Sequence, residues 1–195
     1  MEQKPSFYAL VFRQKYIKRW GLMRNTTPEN LSEHANEVAV LTHALCEIGN
    51  RHFNRHYDSG KAVLLALYHD VPEVYTGDLP TPIKYFDKSS KESYNAVEDC
   101  AITSLLSKIP ESLRPAYEPL FHPEADLPEV RLVKAADKLC AYIKCLEEEK
   151  CGNSEFSHAK KATGDALKRM DLPELSWFME HILPTFSLTI DEMQM

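Results

Sequence analysis

Two histidines and two aspartates stand where helical periodicity places an apolar core, and this constrains the fold more than any other feature of the chain. In the stretch 31–48, His34 shares a face with Val38, Leu41 and Leu45, at i+4, i+7 and i+11. In 59–70, His69 lies over Leu65 and Ala62, and Asp70 over Ala66 and Val63. In 128–150, Asp137 shares its face with Val130, Val133, Cys140 and Ala141. A carboxylate turned into a core is costly unless it is paired or bound to a cation. One cation site serves these groups more economically than separate compensations would, so the three segments are expected to converge. Singly the residues say little. A histidine on an apolar face is usually a hydrogen-bonded core residue, and a His-Asp dipeptide alone is weak. The signal is the order: one His, then His-Asp, then a distant Asp, each on its own helix.

The remaining pattern is helical throughout, with proline-rich turns and little strand alternation. A first helix is read over 6–18 with Ser6 as N-cap. A turn follows from Gly21 to Pro28. Asn30-Leu31-Ser32-Glu33 is a capping-box pattern, and the helix it opens is expected to stop at Gly49-Asn50. The third helix runs from Ser59 through Asp70 to a break at Pro72. Gly77–Pro82 reads as a loop. Further helices are read over 89–107, 111–120, 128–150 with Pro128 at the first turn, 154–170 and 173–182. The fold class is all-α, and 195 residues suit a single domain, 1–195, able to bury about 70% of its unfolded surface.

Hydrophobic residues make up 44% and charged residues 27%, the balance of a soluble protein. A net charge of −6 argues against a nucleic-acid polymer or an anionic membrane as partner, but leaves room for a small anion held locally. Five cysteines without a C-x-x-C pair and without a secretory leader fit reduced thiols and a cytoplasmic location. The N-terminal run is broken by Arg and Lys, and no stretch approaches the length of a membrane span.

The set His34, His69-Asp70 and Asp137 resembles the HD-domain metal-dependent phosphohydrolases. The strings RWGLMRN (19–25), SEH (32–34), YHDVPEVYTGDLPTPIKYF (68–86) and VKAADKLCAYIKCLEE (133–148) resemble the bacterial HD-domain 5′-deoxynucleotidases of the YfbR type. The likeness runs over nearly the whole chain, and the TGDLPTP loop is its most specific part. Gly21 and Pro72 depart from it, standing where proline and a small residue are usual.

The resemblance implies an HD-domain helical bundle and a homodimer. It also implies hydrolysis of 2′-deoxynucleoside 5′-monophosphates with one divalent transition metal ion. The imidazole and carboxylate donors suit Mn, Co, Zn, Fe or Cu. His34, His69, Asp70 and Asp137 would hold the ion, and His34, Asp70 and Asp137 would also face the substrate. Glu73 and Asp78 would carry the acid/base work, Asp78 with the attacking water and Glu73 with the leaving oxygen. Arg19 would clamp the phosphate, and Trp20 would fill the space a 2′-hydroxyl needs. Asp78, Leu79, Pro80 and Thr81 would touch the nucleotide. No base-reading feature is evident.

Two other readings stay open: an HD phosphohydrolase acting on triphosphates, cyclic nucleotides or guanosine polyphosphates, and a non-catalytic nucleotide-binding module. A triphosphatase should show many cations near the motifs, where this chain offers chiefly Arg19, Arg24 and Lys84. A binding module has no need of Glu73 and Asp78.

Overall fold

Apolar residues recur at helical spacing along most of the chain, and the backbone follows them. The computed structural model describes residues 4–84, 86–124 and 126–194. Its α-helices are α1 (Phe7–Val11), α2 (Leu31–His52), α3 (Ser59–Tyr68), α4 (Glu73–Thr76), α5 (Thr81–Lys84) and α6 (Lys88–Ser107). They continue with α7 (Arg114–Phe121), α8 (Pro128–Lys150), α9 (Ser157–Arg169), α10 (Pro173–His181) and α11 (Ile190–Met193). Short 3₁₀ turns cover Phe12–Tyr16, Ser154–Phe156 and Leu183–Ser187. Among the described residues there is no strand, only an isolated antiparallel bridge between Lys18 and Asn30. The all-α class is therefore correct.

The chain forms two compact units. The first takes residues 4–24, 28–36, 67–84 and 86–124 of the described chain. Its core gathers Phe7, Val71, Ile102, Leu105, Leu106, Ile109 and Phe121, with Tyr68 and Tyr117 packed against them. Phe7 is fully buried and meets Tyr117 and Tyr8 edge-on at 5.2 and 5.3 Å, an arrangement aromatic rings prefer. Helix α6 backs this unit, touching α4, α5 and α7.

The second unit takes residues 25–27, 37–66 and 126–194 of the described chain. Here α8 packs on α9 and on the 3₁₀ turn Leu183–Ser187. Leu132, Leu139, Phe156, Leu167, Leu175 and Phe178 are buried. Gly164 of α9 lets the helices approach, since a Cβ there would sit 3.0 Å from the Tyr142 ring of α8.

Helix boundaries differ from the expectation at several points. The first helix does not run 6–18: it turns 3₁₀ at Phe12 and gives way at Ile17 to extended backbone that pairs with the α2 leader. Ser6 makes no side-chain cap bond. Helix α2 passes through Gly49-Asn50 to His52. Gly49 serves close packing there, because a Cβ would lie 2.5 Å from the Tyr57 ring. Asn50 exchanges two hydrogen bonds with the Tyr57 backbone, and Asn54 supplies the left-handed residue (φ +51°) that follows the helix. Helix α3 ends at Tyr68, so His69 and Asp70 lie in a turn just beyond it. The residue before a proline disfavours helix, which explains the early stop ahead of Pro72. The expected loop Gly77–Pro82 holds the start of the one-turn helix α5.

Candidate active site

The site is assembled by residues of the first unit. Asn30 caps α2 as its sequence requires: Oδ1 accepts the Ser32 and Glu33 amides, and Glu33 Oε2 accepts the Asn30 amide. This cap sets the first turn, which buries His34 completely. Upstream, the Arg19 amide donates to the Glu29 carbonyl at 2.9 Å and the Leu31 amide to the Ile17 carbonyl at 3.0 Å. Residues 17–19 therefore run beside 29–31, and Arg19 faces Glu29 across the pair.

His34, His69 and Asp70 each offer a ligand atom within 4.8 Å of the others. Asp70 Oδ2 lies 3.2 Å from His69 Nε2 and 3.5 Å from His34 Nε2. The imidazole rings stand 5.4 Å apart. Among the described residues this is the one group of three His, Cys, Asp or Glu that could hold an ion. Two neutral imidazoles and a carboxylate suit a borderline transition metal, so the donor set fits. Asp137 belongs to the second unit, half-buried on α8.

Glu73 follows the turn that Pro72 opens, and is 3% exposed at the start of α4. Lys84 of α5 donates to its Oε1 at 3.1 Å, while Oε2 is buried without a hydrogen-bond partner among the described residues. Burial first, and then the charge of Asp70, pushes the Glu73 carboxyl up to about 7 against the opposing pull of Lys84. Lys84 also sits 4.4 Å over the Tyr94 ring.

Trp20 occupies the left-handed region (φ +57°), a strain worth about 1–3 kcal/mol for a bulky residue. Its amide donates to Asp78 Oδ2 at 3.2 Å and its indole Nε1 to Glu29 Oε2 at 2.8 Å, so both ends are fastened. Gly21 beside it has open space around its Cα, and nothing there demands glycine. Arg19 forms an ion pair with Glu29 at 3.1 Å and lies 3.5 Å from Asp70.

Arg19, Trp20, His34, His69, Asp70, Glu73 and Asp78 thus belong to one unit. Leu79 and Pro80 are half-buried in the loop leading to α5, and Thr81 opens that helix. An apolar groove of about 630 Å³ runs beside this loop, lined by Leu79, Ile83, Tyr75, Tyr94 and Val97. The six remaining histidines are exposed. Glu29 was not foreseen. It precedes the α2 cap in a stretch without periodicity, and only the 17–19 pairing reveals what it faces.

A family model described as 5′-deoxynucleotidase YfbR-like matches residues 6–186. The chain is 46% identical over 191 residues to the 5′-deoxynucleotidase YfbR of Escherichia coli, covering 97% of this chain and 96% of that protein. A 5′-deoxynucleotidase YfbR from Shigella boydii matches equally well. An HD-domain phosphohydrolase from Listeria innocua superposes with a TM-score of 0.81 at 20% identity, covering 93% of this chain and 88% of that one. The HD phosphohydrolase of cyanophage S-2L, bound to dA and one catalytic Zn²⁺ ion, gives 0.69 at 23% identity, covering 93% and 96%. At these identities the two structures bear on fold alone.

Proposed function

The chain belongs to the YfbR-like family of 5′-deoxynucleotidases, and from that premise we propose how its side chains divide the hydrolysis of 2′-deoxynucleoside 5′-monophosphates. The protein is a metal-dependent phosphohydrolase releasing a deoxynucleoside and phosphate. The convergence of His34, His69 and Asp70 is the observation that carries this reading.

His34, His69 and Asp70 hold one divalent ion, with Asp137 as a fourth ligand on the sequence pattern. Mn, Co, Zn, Fe and Cu all suit these donors. When bound, such an ion neutralises phosphate charge and acidifies water. Arg19 clamps the phosphate oxygens; its guanidinium already lies beside Asp70. Asp78, anchored by the Trp20 amide, orients the attacking water. Glu73, with its raised pKa, retains a proton near neutral pH and delivers it to the leaving 5′-oxygen. Trp20, fixed at backbone and indole, stands against the ribose 2′-position. The backbone of Asp78, Leu79, Pro80 and Thr81 cradles the nucleotide, with broad tolerance of the base. The resemblance further supports a cytoplasmic homodimer, and no helix among the described residues is long and apolar enough to cross a membrane.

The deciding experiment measures phosphate release from deoxy- and ribonucleoside monophosphates, using metal-stripped protein resupplied with single divalent ions. Release restored by a transition metal, with deoxynucleotides preferred, is the expected result. Equal turnover of ribonucleotides would remove the Trp20 role, and no release with any ion would overturn the catalytic reading.

A further inference from the structure

We infer that Glu29 is a positioning residue that ties the metal-ligand set to the substrate-recognition pair, orienting His34, Arg19 and Trp20 through one carboxylate. The inference rests on the deoxynucleotidase reading for what Arg19 and Trp20 recognise. Its geometry stands independently of that reading.

The carboxylate is nearly enclosed, with 11% of its side chain exposed, and each oxygen has defined neighbours. Oε1 lies 3.1 Å from Arg19 Nε and 3.4 Å from His34 Nδ1. Oε2 accepts the Trp20 indole N–H at 2.8 Å. The Arg19 amide donates to the Glu29 carbonyl at 2.9 Å, so the two residues stand side by side on the backbone.

Each contact has a chemical consequence. A carboxylate beside Nδ1 favours the tautomer protonated there, leaving the Nε2 lone pair on the side of Asp70, 3.5 Å away, where a cation would sit. Such a partner raises imidazole basicity and fixes ring orientation, and its loss commonly costs about 10–100-fold in metal affinity. Holding Arg19 at Nε leaves Nη1 turned toward Asp70. Holding the indole N–H locks the ring of a tryptophan whose backbone is already strained. Glutamine matches glutamate in shape but has a single acceptor oxygen, so at Glu29 it would turn an N–H toward at least one of three donors. Substitution should therefore disturb metal binding and sugar recognition together.

The test uses zinc-loaded protein. Long-range ¹H–¹⁵N spectra of the wild type should show His34 protonated at Nδ1 only. A proton on Nε2 would overturn the inference, and this readout needs no variant to fold. In chelator competition, Glu29→Gln should weaken zinc binding about 10–100-fold. At saturating zinc, its preference for dAMP over AMP in kcat/KM should fall about tenfold. The metal-free variant should melt within a few degrees of metal-free wild type. Trp20→Phe removes the indole N–H while leaving the Glu29 contacts to Arg19 and His34, and should leave zinc affinity within twofold of wild type. A Glu29→Gln protein with unchanged zinc affinity, or with weakened zinc binding but intact sugar preference, overturns the coupling. If wild type hydrolysed no deoxynucleotide, the functional reading would fail, and the tautomer and zinc titration would still judge Glu29.

Discussion

At the scale of single residues, burial and the Asp70 charge act together on Glu73, and Lys84 opposes them. The Glu73 carboxyl is 3% exposed and pushed up to about 7, against about 4.3 for an unfolded chain. A carboxyl raised on folding contributes stability below its unfolded value and loses that contribution as pH rises through the folded one. The metal-free protein should therefore lose stability between about pH 4.3 and 7, and Glu73→Gln should flatten that slope. Urea midpoints measured in chelator across this range test it, and parallel wild-type and variant slopes would contradict it. Lys84 opposes the rise. Lys84→Met should accordingly move the Glu73 limb of the pH–rate profile to higher pH, and an unmoved limb would separate the two residues.

Among the elements, α8 has a polar anchor as well as an apolar face. Glu148 near its C-terminus is 1% exposed. Its oxygens accept the Thr26 amide at 2.9 Å, the Thr26 hydroxyl at 2.7 Å, the Thr27 amide at 3.2 Å and the Asn153 side-chain Nδ2 at 2.8 Å, and Lys144 lies against it one turn back. Burial would raise this carboxyl, but Lys144, Thr26 and Asn153 hold it far below the ordinary range. The sign is opposite to that at Glu73: stability is present above the unfolded value and lost as pH falls toward the folded one. Glu148→Gln leaves Lys144 buried without its counter-charge and should cost about 3 kcal/mol at neutral pH. The deficit should shrink in acid below about pH 4. A pH-independent difference in denaturation midpoint would mean that charge is not what the anchor supplies.

For the whole molecule, an ion held by His34, His69 and Asp70 would be a folding ligand as well as a cofactor. An ion that binds only the folded chain stabilises it by about 2.7 kcal/mol at one hundred times its dissociation constant. In a chain of this length that is a rise in Tm of roughly 5–11 °C. Chelation should reverse the shift in wild type, whereas His69→Ala should melt alike with and without zinc. Differential scanning fluorimetry reads both, and an equal zinc response in the variant would remove His69 from the ligand set.

Local rules settled a good part of this protein. Period-3.6 burial located the long helices, the Asn30–Glu33 box marked the start of α2, and Pro128 marked that of α8, because these depend on neighbours within one turn. His34 was legible for the same reason, a polar group on an apolar helical face; His69 and Asp70 were read by the same spacing, but α3 ends at Tyr68 and the turn beyond it brings them to His34. Gly49 inside α2 was misread as a stop, since only the Tyr57 ring, eight residues on, explains a glycine there. The strained Trp20 and the role of Glu29 were hidden for a related reason. Both arise from residues 17–19 pairing with 29–31, and a contact between two aperiodic stretches leaves no mark in either one. Glu73 combines the two cases. The chain shows a carboxylate three residues after Asp70, but its burial and its bond to Lys84 come from how α4, α5 and α6 pack, and that packing sets when it holds its proton.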